Sequence, residues 1–258
     1  MTKVNLTDFF KRAWNGYIKL TPDAPKIQEL LLKRGEQFTN DHVAFRTFNI
    51  PGIGRADLGK LFEQEGYSKA NDELNFPEKK LKASYFLPPD ASLPKVFISE
   101  LLIEQVSSPL KKWILETTGT ALQKEFTLNS FLSPLWDAPQ LSDYQAFYTE
   151  SEYAAWTLAF GIRVNHFTVL VNSLSTFKSL QELNEFLLSN HFRLNNAGGQ
   201  IKGTPEELLE QSSTLAQQIP WKFSQGVVEP IMGCYYEFAK RYPLPGKKDL
   251  FSGFIPKS

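Results

Sequence analysis

An α+β fold built on two copies of one strand–helix–strand–strand–strand (βαβββ) unit is predicted by three features of the 258-residue sequence. Two strand-forming runs carry a histidine near their start, His42–Phe48 and Asn165–Asn172, and each leads into a helical pattern. Each copy then closes on a strand with a glutamate among apolar residues, Phe97-Ile98-Ser99-Glu100-Leu101 and Tyr235-Tyr236-Glu237-Phe238. Aromatic residues make up 14% of the chain, with 21 Phe, which favours a sheet-rich core because such side chains fit pleated surfaces.

The elements follow in order within one domain, 1–258. Residues 1–40 read as helices, with Leu6, Phe9, Phe10 and Trp14, then Ile27, Leu30 and Leu31 after Pro25, at helical spacing. Residues 41–106 form the first unit. Its opening strand ends at Asn49-Ile50-Pro51-Gly52, a helix carries Leu58, Leu61 and Phe62 up to Gly66, and strands follow over Lys80–Leu87 and Val96–Glu104. Residues 107–160 form a mostly helical insert, interrupted around Pro134 and Pro139. Residues 161–258 form the second unit: the His166 strand, a helix at about 175–189, a polar stretch over Asn195–Gln200, a strand around 213–225 and a long strand from Val227 to Tyr242.

Charge and cysteine content narrow the function classes. With 28 basic and 28 acidic residues the net charge is zero, and no basic block supports nucleic-acid binding. Lys79-Lys80 and Lys247-Lys248 read as solvated surface. Cys234 is the single cysteine, so no disulfide closes within the chain, and its apolar neighbours mark it as a buried, inert thiol. No signal peptide or membrane-length apolar run is read, so the expectation is a cytoplasmic protein with no membrane partner. Gly198-Gly199 lacks the surroundings of a phosphate loop, Gly52-Ile53-Gly54 reads as a turn, and no Ser–His–Asp spacing stands out.

The chemistry is sought in the histidines. Two of the three, His42 and His166, occupy the same place in the two copies, inside strand runs where burial is costly unless both ring nitrogens find partners. Metal coordination satisfies one nitrogen and an outer acceptor the other. Glu237 also falls where the pattern expects a buried side chain, and a buried carboxylate needs a cation. Two histidines and a carboxylate on strands make the facial triad typical of non-haem Fe(II), with positions open for substrate and oxygen. The alternatives are hydrogen-bonded core histidines and an ion pair of Glu237 with Lys240 or Arg241. Glu100 reads as a fourth ligand, an outer-sphere base or an ion-pair partner, the outer-sphere or spectator role being favoured because oxygen chemistry needs open positions. On strand alternation His42, Ala44, Arg46 and Phe48 share a face. Arg46 there suits an anionic substrate, a structural ion pair being the alternative. Tyr235 should share the face of Glu237 and Tyr236 should face away. His191, at a helix end, reads as surface.

The stretches His42-Val43-Ala44-Phe45-Arg46-Thr47-Phe48, Asn165-His166-Phe167-Thr168 and Tyr235 to Pro243 resemble signature segments of the 2-oxoadipate dioxygenase/decarboxylase (hydroxyglutarate synthase) family. That family lies within the vicinal oxygen chelate superfamily, and the resemblance runs from about His42 onward. It implies a curved, barrel-like mixed sheet of paired βαβββ modules around a metal. It implies His42, His166 and Glu237 as Fe(II) ligands, which Zn or Ni can replace in purified protein. It also implies substrate binding at His42, Arg46 and His166, with Arg46 gripping a substrate carboxylate. The implied reaction takes a 2-oxo acid and O2: CO2 is lost and the remaining chain is hydroxylated, 2-oxoadipate giving 2-hydroxyglutarate in lysine breakdown. Longer members carry extra sequence that helps enclose the substrate, so the resemblance does not assign the residues facing a distal carboxylate. Competing expectations are a glyoxalase-like isomerase or hydrolase of the same superfamily, with Glu100 as fourth ligand, and a small-molecule-binding module without metal.

Overall fold

The computed structural model describes residues 4–70, 73–119, 121–123 and 125–255. α1 (Leu6–Tyr17) starts at Asn5, whose side chain accepts the Asp8 backbone N–H and satisfies one donor left open at a helix start. It buries Phe9, Phe10, Ala13 and Tyr17. α2 (Asp23–Lys33) holds Pro25 in its first turn, where the missing N–H is tolerated, and buries Ile27 and Leu31.

The first unit is β1 (Asn40–Phe48), α3 (Arg55–Gln64), β2 (Ser68–Lys69) with β3 (Leu74–Phe76), β4 (Leu81–Leu87) and β5 (Lys95–Leu101). α4 (Ser108–Gly119), α5 (Leu141–Tyr148) and α6 (Glu152–Phe160) make up the insert, with short 3-10 turns between α4 and α5. The second unit is β6 (Val164–Leu170), α7 (Leu180–Ser189), β7 (Lys202–Thr204), β8 (Leu209–Ser213) and, after a β-ribbon of β9 (Gln218–Lys222) and β10 (Val228–Met232), β11 (Glu237–Arg241).

The nine-stranded mixed sheet runs β2-β4-β5-β1-β6-β11-β8-β7, with β3 also on β4. Its pairing repeats. In each unit the first strand lies parallel to the last, β1 with β5 and β6 with β11, and the last lies antiparallel to the one before it, β5 with β4 and β11 with β8. β1 and β6 join the halves antiparallel, with His42 opposite Thr168 and His166 opposite Ala44. Each unit's histidine thus reaches the middle of the sheet beside the other's. α1 backs this centre, and the Tyr17 hydroxyl donates to the Tyr235 carbonyl at 2.5 Å. Among the described residues no helix is long and apolar enough to cross a membrane.

Several boundaries differ from those expected. The strand read from Val227 to Tyr242 is two strands, and the one read around 213–225 is the end of β8 followed by β9. Two causes are visible. Pro220 and Pro230 face each other across the β9–β10 ribbon, and prolines without N–H groups suit an isolated ribbon better than a central strand. Gly233 then passes so near the Leu20 carbonyl that a Cβ there would sit 2.3 Å from its oxygen, which turns the chain before β11. β5 ends at Leu101 rather than Glu104, and α7 starts at Leu180, where the Ser179 side chain caps it.

Candidate metal centre

His42 on β1, His166 on β6 and Glu237 at the start of β11 converge, with one ligand atom from each lying within 4.8 Å of the others. Glu237 Oε1 lies 3.2 Å from His42 Nε2, and Oε2 lies 3.8 Å from His166 Nε2. The outer ring nitrogens are taken. His42 Nδ1 is 2.8 Å from the Asp41 carboxylate, and His166 Nδ1 is 3.1 Å from Asn165 Oδ1. An ionised carboxylate only accepts, so Nδ1 of His42 carries a proton, and Nε2, which faces Glu237 Oε1, is the nitrogen left to offer a lone pair once a cation displaces its own proton. Glu237 Oε1 also accepts from Gln211 at 2.7 Å and from Thr168 Oγ1 at 3.1 Å. Two imidazole nitrogens backed by acceptors, with a carboxylate only 12% exposed, fit a divalent transition metal.

Without metal, His166 and Glu237 already hold the protonation states that ligation needs, whereas His42 would have to give up a proton. Burial pushes the His166 imidazole down to about 4, against the opposing pull of Glu237. Burial raises Glu237, but the His166 and His42 rings outweigh it and hold the carboxyl at about 2. His42 loses by burial and gains more from Asp41 and Glu237, ending above its ordinary value. The consequence for stability has a definite sign. Between its ordinary value of 6.5 and about 4, His166 takes up a proton in the unfolded chain but not in the folded one, so acid destabilises the fold across that window. Glu237 adds a further loss from 4.5 down to about 2, whereas the His42 contribution is fully present below 6.5 and is lost only as pH rises above it, so it leaves the acid trend unchanged. The melting temperature of metal-free protein should therefore fall more steeply between pH 6.5 and 4 in the wild type than in His166→Gln; equal slopes would refute the assignment to His166.

A cavity of about 700 Å³ opens over the cluster. Arg46 lines it with His42 and His166, as alternation predicts, its guanidinium carbon 5.0 Å from the ring centres of Tyr153 and Trp156 on α6. No ion pair engages Arg46 among the described residues, so the structural ion pair weighed for it is not what the fold builds. Phe48 does not join that face; it is fully buried in the main core with Val43 and Phe45, beyond a register shift between Ala44 and Phe45. Tyr235 shares the cavity and stacks on His166 at 4.8 Å, while Tyr236 turns into the core, its hydroxyl accepting from Gln28.

Glu100 is not at the centre. Its carboxylate accepts the Arg55 backbone N–H and Arg55 Nε, both at 2.8 Å, at the start of α3. The reason is register: Glu237 pairs with Thr168, two residues after His166, and the matching pair in the first unit is Ala44 with Phe97. Glu100 is three residues beyond Phe97 and on the opposite face. The partners considered for Glu237 are occupied elsewhere, Lys240 with the Lys178 carbonyl and Arg241 with Asp41. Lys79, expected as plain surface, is exposed but stands on the cavity wall, as does Lys202. His191 is exposed after α7, and burial pushes the Cys234 thiol up to about 12.

Sequence reasoning passed over the outer ring of this site. Asp41 is fully buried and receives Arg241 through Nε at 2.6 Å and Nη2 at 2.8 Å, with Lys95 at 3.3 Å. Burial disfavours its charge, but Arg241 prevails and holds the carboxyl well below the usual range. The signal was present: the residue before each repeat histidine, Asp41 or Asn165, carries a side-chain oxygen.

Comparison with known proteins agrees with this geometry. An enzyme of Oryza sativa subsp. japonica, named 2-oxoadipate dioxygenase/decarboxylase, chloroplastic/amyloplastic, is 40% identical over 251 residues, covering 91% of this chain and 68% of its own. The crystal structure of hydroxyglutarate synthase from Oryza sativa in complex with 2-oxoadipate superimposes with a TM-score of 0.86 at 34% identity, over 96% of this chain and 88% of that one. For the fold alone, a Ralstonia eutropha JMP134 protein provisionally placed in the glyoxalase superfamily gives 0.77 at 18% identity, over 94% of this chain and 83% of that one. The paired-module sheet is accordingly of the vicinal oxygen chelate kind. With the family's sequence pattern matching residues 17–256, this chain belongs to the 2-oxoadipate dioxygenase/decarboxylase family.

Proposed function

We propose that the protein is an Fe(II)-dependent dioxygenase that converts 2-oxoadipate and O2 to 2-hydroxyglutarate and CO2, a step of lysine breakdown. The observation that carries this reading is the cluster of His42, His166 and Glu237 on the wall of a cavity that also presents the Arg46 guanidinium, which makes no ion pair among the described residues. Those three residues would hold the metal, which when bound activates dioxygen and orients a chelating 2-oxo acid. The stoichiometry balances. The 2-oxo acid loses its carboxyl group as CO2, one oxygen atom completes the new carboxylate at the former keto carbon, and the other becomes the hydroxyl on the adjacent carbon.

The protein's own groups prepare this chemistry. Asp41 and Asn165 orient the two imidazoles, and Gln211 and Thr168 fix the Glu237 carboxylate. Arg46 grips a substrate carboxylate by charge-assisted hydrogen bonds, held in place by Tyr153 and Trp156. An isomerase- or hydrolase-type centre with Glu100 as fourth ligand finds no support, since Glu100 is committed to Arg55.

Oxygen uptake by Fe(II)-reconstituted protein, followed with CO2 and 2-hydroxyglutarate, tests the reading. Uptake with 2-oxoadipate well above that with other 2-oxo acids is expected; none with any 2-oxo acid at full metal loading would sink it. Arg46→Met should raise the KM for 2-oxoadipate by roughly 10- to 100-fold at unchanged metal content, from the loss of a charged hydrogen bond of about 1.5–3 kcal/mol. An unchanged KM would remove Arg46 from substrate binding.

A further inference from the structure

The repeat defines four inward positions, of which only three carry metal-binding side chains. His42 and His166 are one equivalent pair. The strand registers define the other: Glu237 opposite Thr168 on one side, Phe97 opposite Ala44 on the other. Phe97 therefore stands where the first unit would offer the counterpart of Glu237. Its ring lies 4.9 Å from that of Phe254, which in turn lies edge-on to His42 at 4.9 Å and 5.0 Å from Tyr85. Phe254 belongs to neither set of repeat strands. It follows β11 on a segment that Arg241 pins, donating through Nη1 to the Phe251 and Gly253 carbonyls at 2.8 Å each. The Arg241 guanidinium carbon also lies 5.2 Å from the Phe254 ring centre.

We propose that Phe97 and Phe254 form an apolar plug in the fourth ligand place of the two-unit repeat, limiting the centre to three protein ligands. This inference rests on the metal site of the proposed function, though not on its substrate. The chemistry explains the need. Three protein ligands would leave room on a bound transition-metal ion for a two-point chelating acid and for dioxygen. A carboxylate at position 97 would occupy one of those places, whereas phenyl rings donate nothing to the metal and keep water from the flank of His42.

The test uses Co(II), whose visible spectrum reports its ligands without oxygen turnover. Phe97→Glu combined with Phe254→Ala removes the plug and supplies the missing donor. That double variant should bind Co(II) at least about tenfold tighter than wild type, with a changed spectrum that 2-oxoadipate no longer perturbs. Phe97→Gln with Phe254→Ala, which lacks the charge, should bind Co(II) close to the wild-type level. Wild-type affinity and spectrum in the Glu variant, once folding is confirmed by melting, would overturn the plug. Phe254→Ala alone provides a second reading should the double variant not fold. Azide should then bind the Co(II) site about tenfold more tightly through the space freed beside His42, and unchanged azide affinity would overturn the proposal. Wild-type protein that binds Co(II) but consumes no oxygen with any 2-oxo acid would defeat the proposed reaction while leaving these comparisons valid.

Discussion

Replacing His166 with alanine should abolish metal retention and oxygen uptake together. The residue offers one of the three converging candidate ligand atoms, and the other two, on His42 and Glu237, are held by Asp41, Thr168 and Gln211 and cannot swing over to compensate. Loss of an outer-sphere partner of a metal ligand typically weakens affinity 10- to 100-fold, so loss of the ligand itself should exceed about 100-fold. The fold should persist, because the ring faces the cavity and Tyr235 rather than the main core. Metal content after dialysis and oxygen consumption decide the matter. A folded variant that keeps stoichiometric metal and wild-type uptake would remove His166 from the centre.

Arg241→Met should cause one of the largest losses of stability available to a single substitution outside the core. Arg241 is 2% exposed and bonds the fully buried Asp41 carboxylate twice. Removing one partner of a buried pair leaves an uncompensated charge, at about 3–5 kcal/mol. Lys95, 3.3 Å from Asp41, offsets part of this. For a chain of this length the remaining deficit corresponds to a fall in melting temperature of roughly 10 °C. The same substitution frees the Phe251 and Gly253 carbonyls, so it should also loosen Phe254 from His42. Asp41→Asn placed on top should recover part of the lost stability, since the stranded charge is then gone. A single variant that melts with the wild type would show that the pair is not what holds this corner.

The vocabulary of the site was legible in local patterns. Strand alternation placed Arg46 with His42 and Tyr235 with Glu237, and repetition of a histidine-bearing strand singled out His42 and His166. Such patterns are local because a side chain's face on a strand depends only on its neighbours. The helical insert and the paired order of strands and helices were readable for the same reason.

What the chain could not reveal by itself is register and closure. Glu100 looked like the partner of Glu237 from its place in a strand, yet the pairing of β1 with β5 puts Phe97 there and sends Glu100 to Arg55. A shift of three residues leaves the composition of a strand unchanged but exchanges its faces, and only the neighbouring strand selects between them. The bond from Arg241 to Asp41 joins positions 200 residues apart, and Phe254 reaches His42 across a similar span. No local preference encodes such contacts; they form because a buried carboxylate must find its cation and an apolar ring its cavity once the sheet has curled. Sequence determined which side chains could make a metal centre, and tertiary packing decided that three of them converge, beside two phenyl rings.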